Sequence, residues 1–101
     1  MREGLRGILQ RLHHHEIEVV HLMTVTAYIL LNVEMSTRNH VFETIKIMDE
    51  IQEVHMIFGA FDIIIKAEFQ NNNQLSTFIV DKLKNLEGVL ETQTNICAAA
   101  V

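Results

Sequence analysis

An α+β fold, in which a four-stranded antiparallel sheet carries two helices on one face, is predicted by three observations in this sequence. Apolar β-favouring runs and helix-period stripes alternate in the order βαββαβ. The second half of that pattern repeats the first. At 101 residues the chain has room for one domain with a small core, so a single copy is marginally stable and association is the usual remedy.

Strand one is residues 27–33, Ala-Tyr-Ile-Leu-Leu-Asn-Val, closed by Glu34 and the polar pair Ser36-Thr37. Either hydroxyl can cap a helix whose apolar residues Val41, Ile45, Met48 and Ile51 recur at helical spacing. Strand two, 53–58, and strand three, 61–68, flank Gly59-Ala60. A glycine at the first central position predicts a two-residue type II′ turn, because only glycine takes the positive φ there without strain. Asp62 places a carboxylate at the mouth of this hairpin. Asparagines 71–73 offer caps for a second helix with Leu75, Ile79, Leu83 and Leu86 on one stripe and Phe78 beside them. Gly88 ends it as a left-handed cap, and 89–96 form strand four, with Thr92 and Thr94 on one side and Glu91, Gln93 and Asn95 on the other.

The halves align as Glu34 on Glu68, Val41 on Leu75 and Ile45 on Ile79 at an offset of 34, then Ile51 on Leu86 and Val54 on Val89 at 35. A duplicated βαβ unit with right-handed crossovers gives the ferredoxin-like arrangement, both helices on the same face. In strand one Ile29, Leu31 and Val33 oppose Tyr28, Leu30 and Asn32; in strand three Ile63 and Ile65 oppose Asp62, Ile64 and Lys66. Both faces therefore carry apolar side chains while helices cover only one, and a second copy is the simplest cover for the other.

Composition narrows the function. Apolar residues make up 49% of the chain with no proline, which excludes disorder. The net charge of −5 falls wholly on residues 23–101, where Arg38, Lys46, Lys66, Lys82 and Lys84 form no run, so direct nucleic-acid binding is not expected. Residues 1–22, with their short stripe of Leu5, Ile8, Leu9 and Leu12, match no element of the repeat. They read as a poorly ordered extension or artificial addition ahead of a domain at 23–101. Glu16, Glu18 and His21 interrupt any signal-peptide core, and the stretch is too short and polar to span a bilayer. His13, His14, His15 and His21 have no cysteine or carboxylate partners at ligand spacing, so neither a metal nor another cofactor is expected. One cysteine, Cys97, points to a reducing, cytoplasmic setting.

The sequence resembles the effector-binding (RAM) domain of the Lrp/AsnC regulators over residues 24–96. The resemblance rests on Ala-Tyr-Ile-Leu-Leu-Asn-Val-Glu at 27–34, the step from Ile51 to Val54, Phe-Gly-Ala-Phe-Asp-Ile-Ile-Ile-Lys-Ala-Glu at 58–68 and Leu-Glu-Gly-Val-Leu-Glu-Thr-Gln-Thr at 86–94. Gln52 stands where the family often has proline, and residues 1–22 are too few for a winged helix-turn-helix domain, so the likeness is to stand-alone members. The resemblance implies a dimeric α/β-barrel type assembly, often a ring of dimers, with full-length Lrp/AsnC regulators as further partners. It also implies an amino acid or similar metabolite bound between subunits. Ligand-binding residues carried over are Met56, Gly59, Phe61 and Asp62 near the hairpin, and Thr92, Thr94 and Asn95 from a neighbour's fourth strand. A carboxylate suits the ligand ammonium, backbone N–H groups near Gly59 suit its carboxylate, and threonine hydroxyls serve either.

Two other classes stay open. A cofactor-free enzyme on this fold would use His55 as base with Asp62 or Tyr28 assisting, although no residue pair argues for it and no catalytic residue is assigned. An architectural or heteromeric adaptor is the other.

Overall fold

The structure, a computed structural model, describes residues 24–98; the expectations for residues 1–22 and their histidines lie outside them. Strand β1 is Val25–Val33, followed by a 3₁₀ turn Met35–Thr37 and helix α1, Arg38–Lys46. Strands β2, Ile51–Met56, and β3, Ile63–Phe69, form the central hairpin. Helix α2 begins as Asn72–Thr77 and continues with π-type winding over Phe78–Leu83, leading to β4, Val89–Ile96. Sheet order is β2-β3-β1-β4 with every pairing antiparallel. The predicted ferredoxin-like fold is therefore present.

Alternation decides which side chains enter the core. Ala27, Ile29, Leu31 and Val33 of β1 and Ile63, Ile65, Ala67 and Phe69 of β3 are buried, facing Val41 and Ile45 of α1 and Leu75, Phe78 and Leu83 from α2. Each fully buried aliphatic side chain contributes about 1.5–3 kcal/mol of transfer free energy. The opposite face presents Tyr28, Leu30 and Ile64 among Lys66, His55, Glu53, Gln93 and Asn95.

Four expectations are corrected. The stripe from Val41 does not carry the first helix to Ile51. The helix stops at Lys46, Met48 lies in the connection and Ile51 opens β2 opposite Ala67. Second, the Gly59 turn is not a closed two-residue type II′ turn. Pairing of Met56 with Ile63 has the register such a turn requires, but its last bond is Ile57 N–H to Asp62 O, 2.9 Å, and 58–61 form an open loop with Gly59 at φ 136°. The Asp62 N–H turns instead to Leu31 O of β1, 2.8 Å, which leaves Ile57 and Asp62 joined by that single bond.

Third, the repeat closes with a different offset. Glu34 N–H donates to Gly88 O at 2.8 Å and Glu68 N–H to Glu50 O at 3.3 Å, so Glu34 matches Glu68 while Glu50 matches Gly88. Bulges confirm it: β1 and β4 shift register between Asn32 and Val33, setting Val33 opposite Val89, and β2 and β3 shift between Ile51 and Glu53, setting Ile51 opposite Ala67. Ile51 therefore corresponds to Val89, and the extra residues lie in the longer, π-wound second helix and the connection behind it. An α-helix absorbs inserted residues as π-type turns, here marked by Lys84 N–H donating to Ile79 O, 2.9 Å. Gln52, which the resemblance sets where a proline was expected, is the bulged residue of β2. A bulge is where a strand tolerates a residue without an N–H.

Gly88 has positive φ, 98°, but it does not cap the second helix as expected: that helix ends at Leu83 with Lys84 as its C-cap, and Gly88 lies in the turn just ahead of β4. A Cβ there would overlap the hydroxyl of Thr37, which itself donates to Glu34 O at 3.0 Å. Gly88→Ala is expected to cost about 2–4 kcal/mol, the left-handed strain plus overpacking, measured by urea denaturation. Thr37→Ala in that background should recover only some of the packing part, because the Cβ of residue 37 stands 2.7 Å from the added methyl.

Helix α2 is tied to the start of β2 by Lys82 Nζ to Glu50 Oε2, 2.8 Å. That bond holds the Glu50 carboxyl below its ordinary value of 4.5, against the opposing effect of burial. Because the folded value is depressed, the contribution is complete above the unfolded value and is lost as pH falls through the folded one. Lys82 is half exposed, so the pair is worth no more than a few tenths of a kcal/mol. Stability curves from pH 6 to 3 should show Glu50→Gln with a slightly shallower acid limb than wild type.

Candidate functional site

The hairpin tip gathers the first group of predicted site residues. Asp62, half-buried, accepts the Val33 N–H through Oδ2 at 2.9 Å while its own N–H reaches Leu31 O. Its carboxylate therefore satisfies the last N–H of β1 at a point where the bulge has disturbed the ladder. Oδ1 has no hydrogen bond among the described residues. Phe61 beside it is half-buried, Phe58 is 99% exposed at the loop apex, and space around Gly59 is open where a Cβ would stand. Met56 faces the helix side opposite Ile63 and is 39% exposed.

The second group lies on the other sheet edge. Met56, Ile63, Leu31 and Thr92 form one row across the four strands, which sets Met56 and Thr92 roughly 14 Å apart. Thr92 and Thr94 are half-buried on the helix side, opposite Leu31 and Ile29. Asn95 points to the open face opposite Tyr28, whose carbonyl accepts its Nδ2 at 3.4 Å. Thr92 also lines a cavity of about 300 Å³ with Lys84, Val89, Leu90 and Glu91. Within one chain the hairpin residues and the β4 residues do not converge, and Thr92 and Asn95 occupy opposite faces.

The Leu31 and Val33 backbone contacts carry no signature in the sequence, because they depend on the offset between β1 and β3. Of the residues named for catalysis, His55 is exposed on the open face with Glu53 Oε1 at 3.2 Å, and it stands opposite Ile64 rather than beside Tyr28. Among the described residues no group of three or more His, Cys, Asp or Glu side chains could hold a metal ion. No helix among them is long and apolar enough to cross a membrane.

Residues 26–101 match the family model of the Lrp/AsnC ligand binding domain. The chain belongs to the Lrp/AsnC family. An HTH-type transcriptional regulator of Pyrococcus horikoshii is 29% identical to this Lrp/AsnC domain over 79 residues, 75% of this chain and 53% of that protein. One from Pyrococcus abyssi is 31% identical over 74 residues, 70% and 49% of the respective lengths. The chain thus spans about half the length of the curated relatives it matches. The crystal structure of a hypothetical Pyrococcus horikoshii protein superposes with TM-score 0.70 at 29% identity, over 75% of this chain and 92% of that one. A Neisseria meningitidis transcriptional regulator, solved as a complex with L-Met, shares the fold at TM-score 0.75 and 20% identity, over 84% and 55%.

In this Lrp/AsnC domain Asp62 has a structural duty of its own. Asp62→Ala should lower stability by about 1–2 kcal/mol without any ligand, because a part-buried N–H loses its acceptor. Asp62→Asn, which keeps an amide oxygen for Val33, should recover most of that in the same denaturant titration.

Proposed function

We propose that this chain is a ligand sensor that takes a free amino acid or close analogue between subunits at the hairpin tip, and acts on transcription indirectly. The observation that carries this reading is the state of Asp62. One carboxylate oxygen is held by Val33 N–H and the other has no hydrogen bond among the described residues, beside a glycine whose surroundings are open. The fixed oxygen orients the group, leaving Oδ1 to receive an ammonium in a charge-assisted bond. Backbone N–H groups near Gly59 then suit the ligand carboxylate, because no Cβ stands in the way. Hydroxyls of Thr92 and Thr94 would come from a neighbouring copy, since the protein's own β4 is two strands distant. The complex of the Neisseria regulator with L-Met supports this ligand class.

The assembly follows from the uncovered sheet face. Tyr28 is 39% exposed there, with Leu30 and Ile64 half-buried at the centre and polar groups around them. An apolar centre with a polar rim is the anatomy of a protein interface. A second copy supplies that cover, and further dimers or full-length relatives bring the β4 threonines to the hairpin. We infer a cytoplasmic sensor that works without catalysis and without contacting DNA itself, a reading supported by relatives that regulate transcription and by a net charge of −5.

Isothermal calorimetry against the common amino acids is expected to find at least one ligand for the wild type, weakened by roughly 1.5–3 kcal/mol in Asp62→Asn, which loses the charge and keeps the Val33 contact. Equal affinity in the two proteins would remove Asp62 from the site, and no binding by wild type would favour the adaptor or enzyme alternatives. The melting temperature should fall on dilution, as linked folding and assembly require. A stable monomer at micromolar concentration in sedimentation would overturn the assembly.

A further inference from the structure

At the end of the sheet opposite the hairpin, α2 and the start of β2 line an open cavity of about 610 Å³. Phe69 and Phe78, their rings 5.2 Å apart, line it together with Glu50, Asp81 and Lys82. β3 runs seven residues from the hairpin to Phe69, so the cavity lies roughly 20 Å from Asp62.

Fold geometry alone does not require an opening here. By the internal duplication Glu50 corresponds to Gly88 and Asn71 to Thr37. In the first half Thr37 packs directly on Gly88, leaving no room even for a methyl group. In the second half the matching corner holds a carboxylate and an asparagine around empty space. The longer, π-wound second helix widens it, and π-type turns recur at functional sites.

The side chains at this corner already display what they bind. Lys82 lays its chain toward the Phe78 ring, Nζ 5.9 Å from the centroid, and sets its ammonium on Glu50 Oε2 at 2.8 Å. The second oxygen, Oε1, is buried and has no hydrogen-bond partner among the described residues. A buried acceptor without a donor is costly. Turning the carboxylate about its broad terminal torsion brings Oε1 toward the cavity and draws Oε2 off Lys82, so a bound ammonium takes the place of the lysine's. Two carboxylates against one ammonium leave the lining with a net negative charge. We propose that this cavity binds a short aliphatic diamine, one ammonium donating to Glu50 Oε1, the methylene chain on Phe69 and Phe78, and the second ammonium near Asp81. The site is separate from the hairpin site and does not depend on it.

The test is an NMR titration of the ¹⁵N-labelled full chain with 1,5-diaminopentane at constant ionic strength. Saturable shifts are expected at the amides of Thr77, Phe78 and Lys82. Glu50→Gln should weaken binding at least tenfold and Asp81→Asn severalfold, whereas Asp62→Asn should leave it unchanged. If Glu50→Gln does not fold, the exposed Asp81→Asn carries the comparison alone. Lys82→Ala, which vacates the alkylammonium position, should bind the diamine more tightly. No saturable shift, equal shifts with 1-pentanol, or full affinity in the carboxylate variants would overturn the proposal.

Discussion

Pairing of β1 with β3, from Val25 opposite Phe69 to Leu31 opposite Ile63, decides which side chains enter the core. A slip of one residue would send Ile29, Leu31, Ile63 and Ile65 to the open face together. The two strands are the equivalent members of the duplicated unit, so the repeat meets itself at the centre of the sheet. The edge strands are then placed by their pairings to this core, each with a bulge at the matching position. Site residues sit where that central order ends: Asp62 just ahead of β3, Thr92 and Thr94 on an edge.

Asp62 shows how a scaffold and a binding group become the same residue. The hydrogen bond to Val33 N–H satisfies the end of β1 and, by holding one oxygen, aims the other. A ligand would add to an anchored carboxylate and would not have to order a mobile one, which lowers the entropic cost of association. The same arrangement ties the hairpin to the central strands, so its position cannot change without disturbing a buried ladder.

Most of the fold was legible because period-two alternation in β1 and β3 is unbroken and glycine marks the two positive-φ positions. The boundary at Ile51 was not. An isoleucine three residues after Met48 satisfies a helical stripe as well as a strand start, and only the pairing with Ala67 decides between them. The offset in the second half failed for a related reason: a π-wound segment shifts the phase of an apolar stripe without leaving a proline or glycine to mark it. At the site, residue types were readable from the resemblance, but the partners of Asp62 are backbone groups of a strand about thirty residues away, and backbone carries no sequence signature. Glu50 and Lys82 are likewise joined only by the fold.

Both ends of the described chain lie together. Cys97 N–H donates to Thr26 O at 2.8 Å, and Ala27 stands opposite Ile96. Entry and exit therefore share one end of the sheet, and the hairpin tip occupies the other. The connecting rod is β1, nine residues of strand paired with β3 over 25–31 and with β4 over 27–33 and about 30 Å long, whose last N–H is the one Asp62 holds. An event at the tip that shifts Val33 pulls on a stiff element whose far end is the doorway of the domain. Any segment attached at that doorway would sense the tip mechanically, as displacement along a strut.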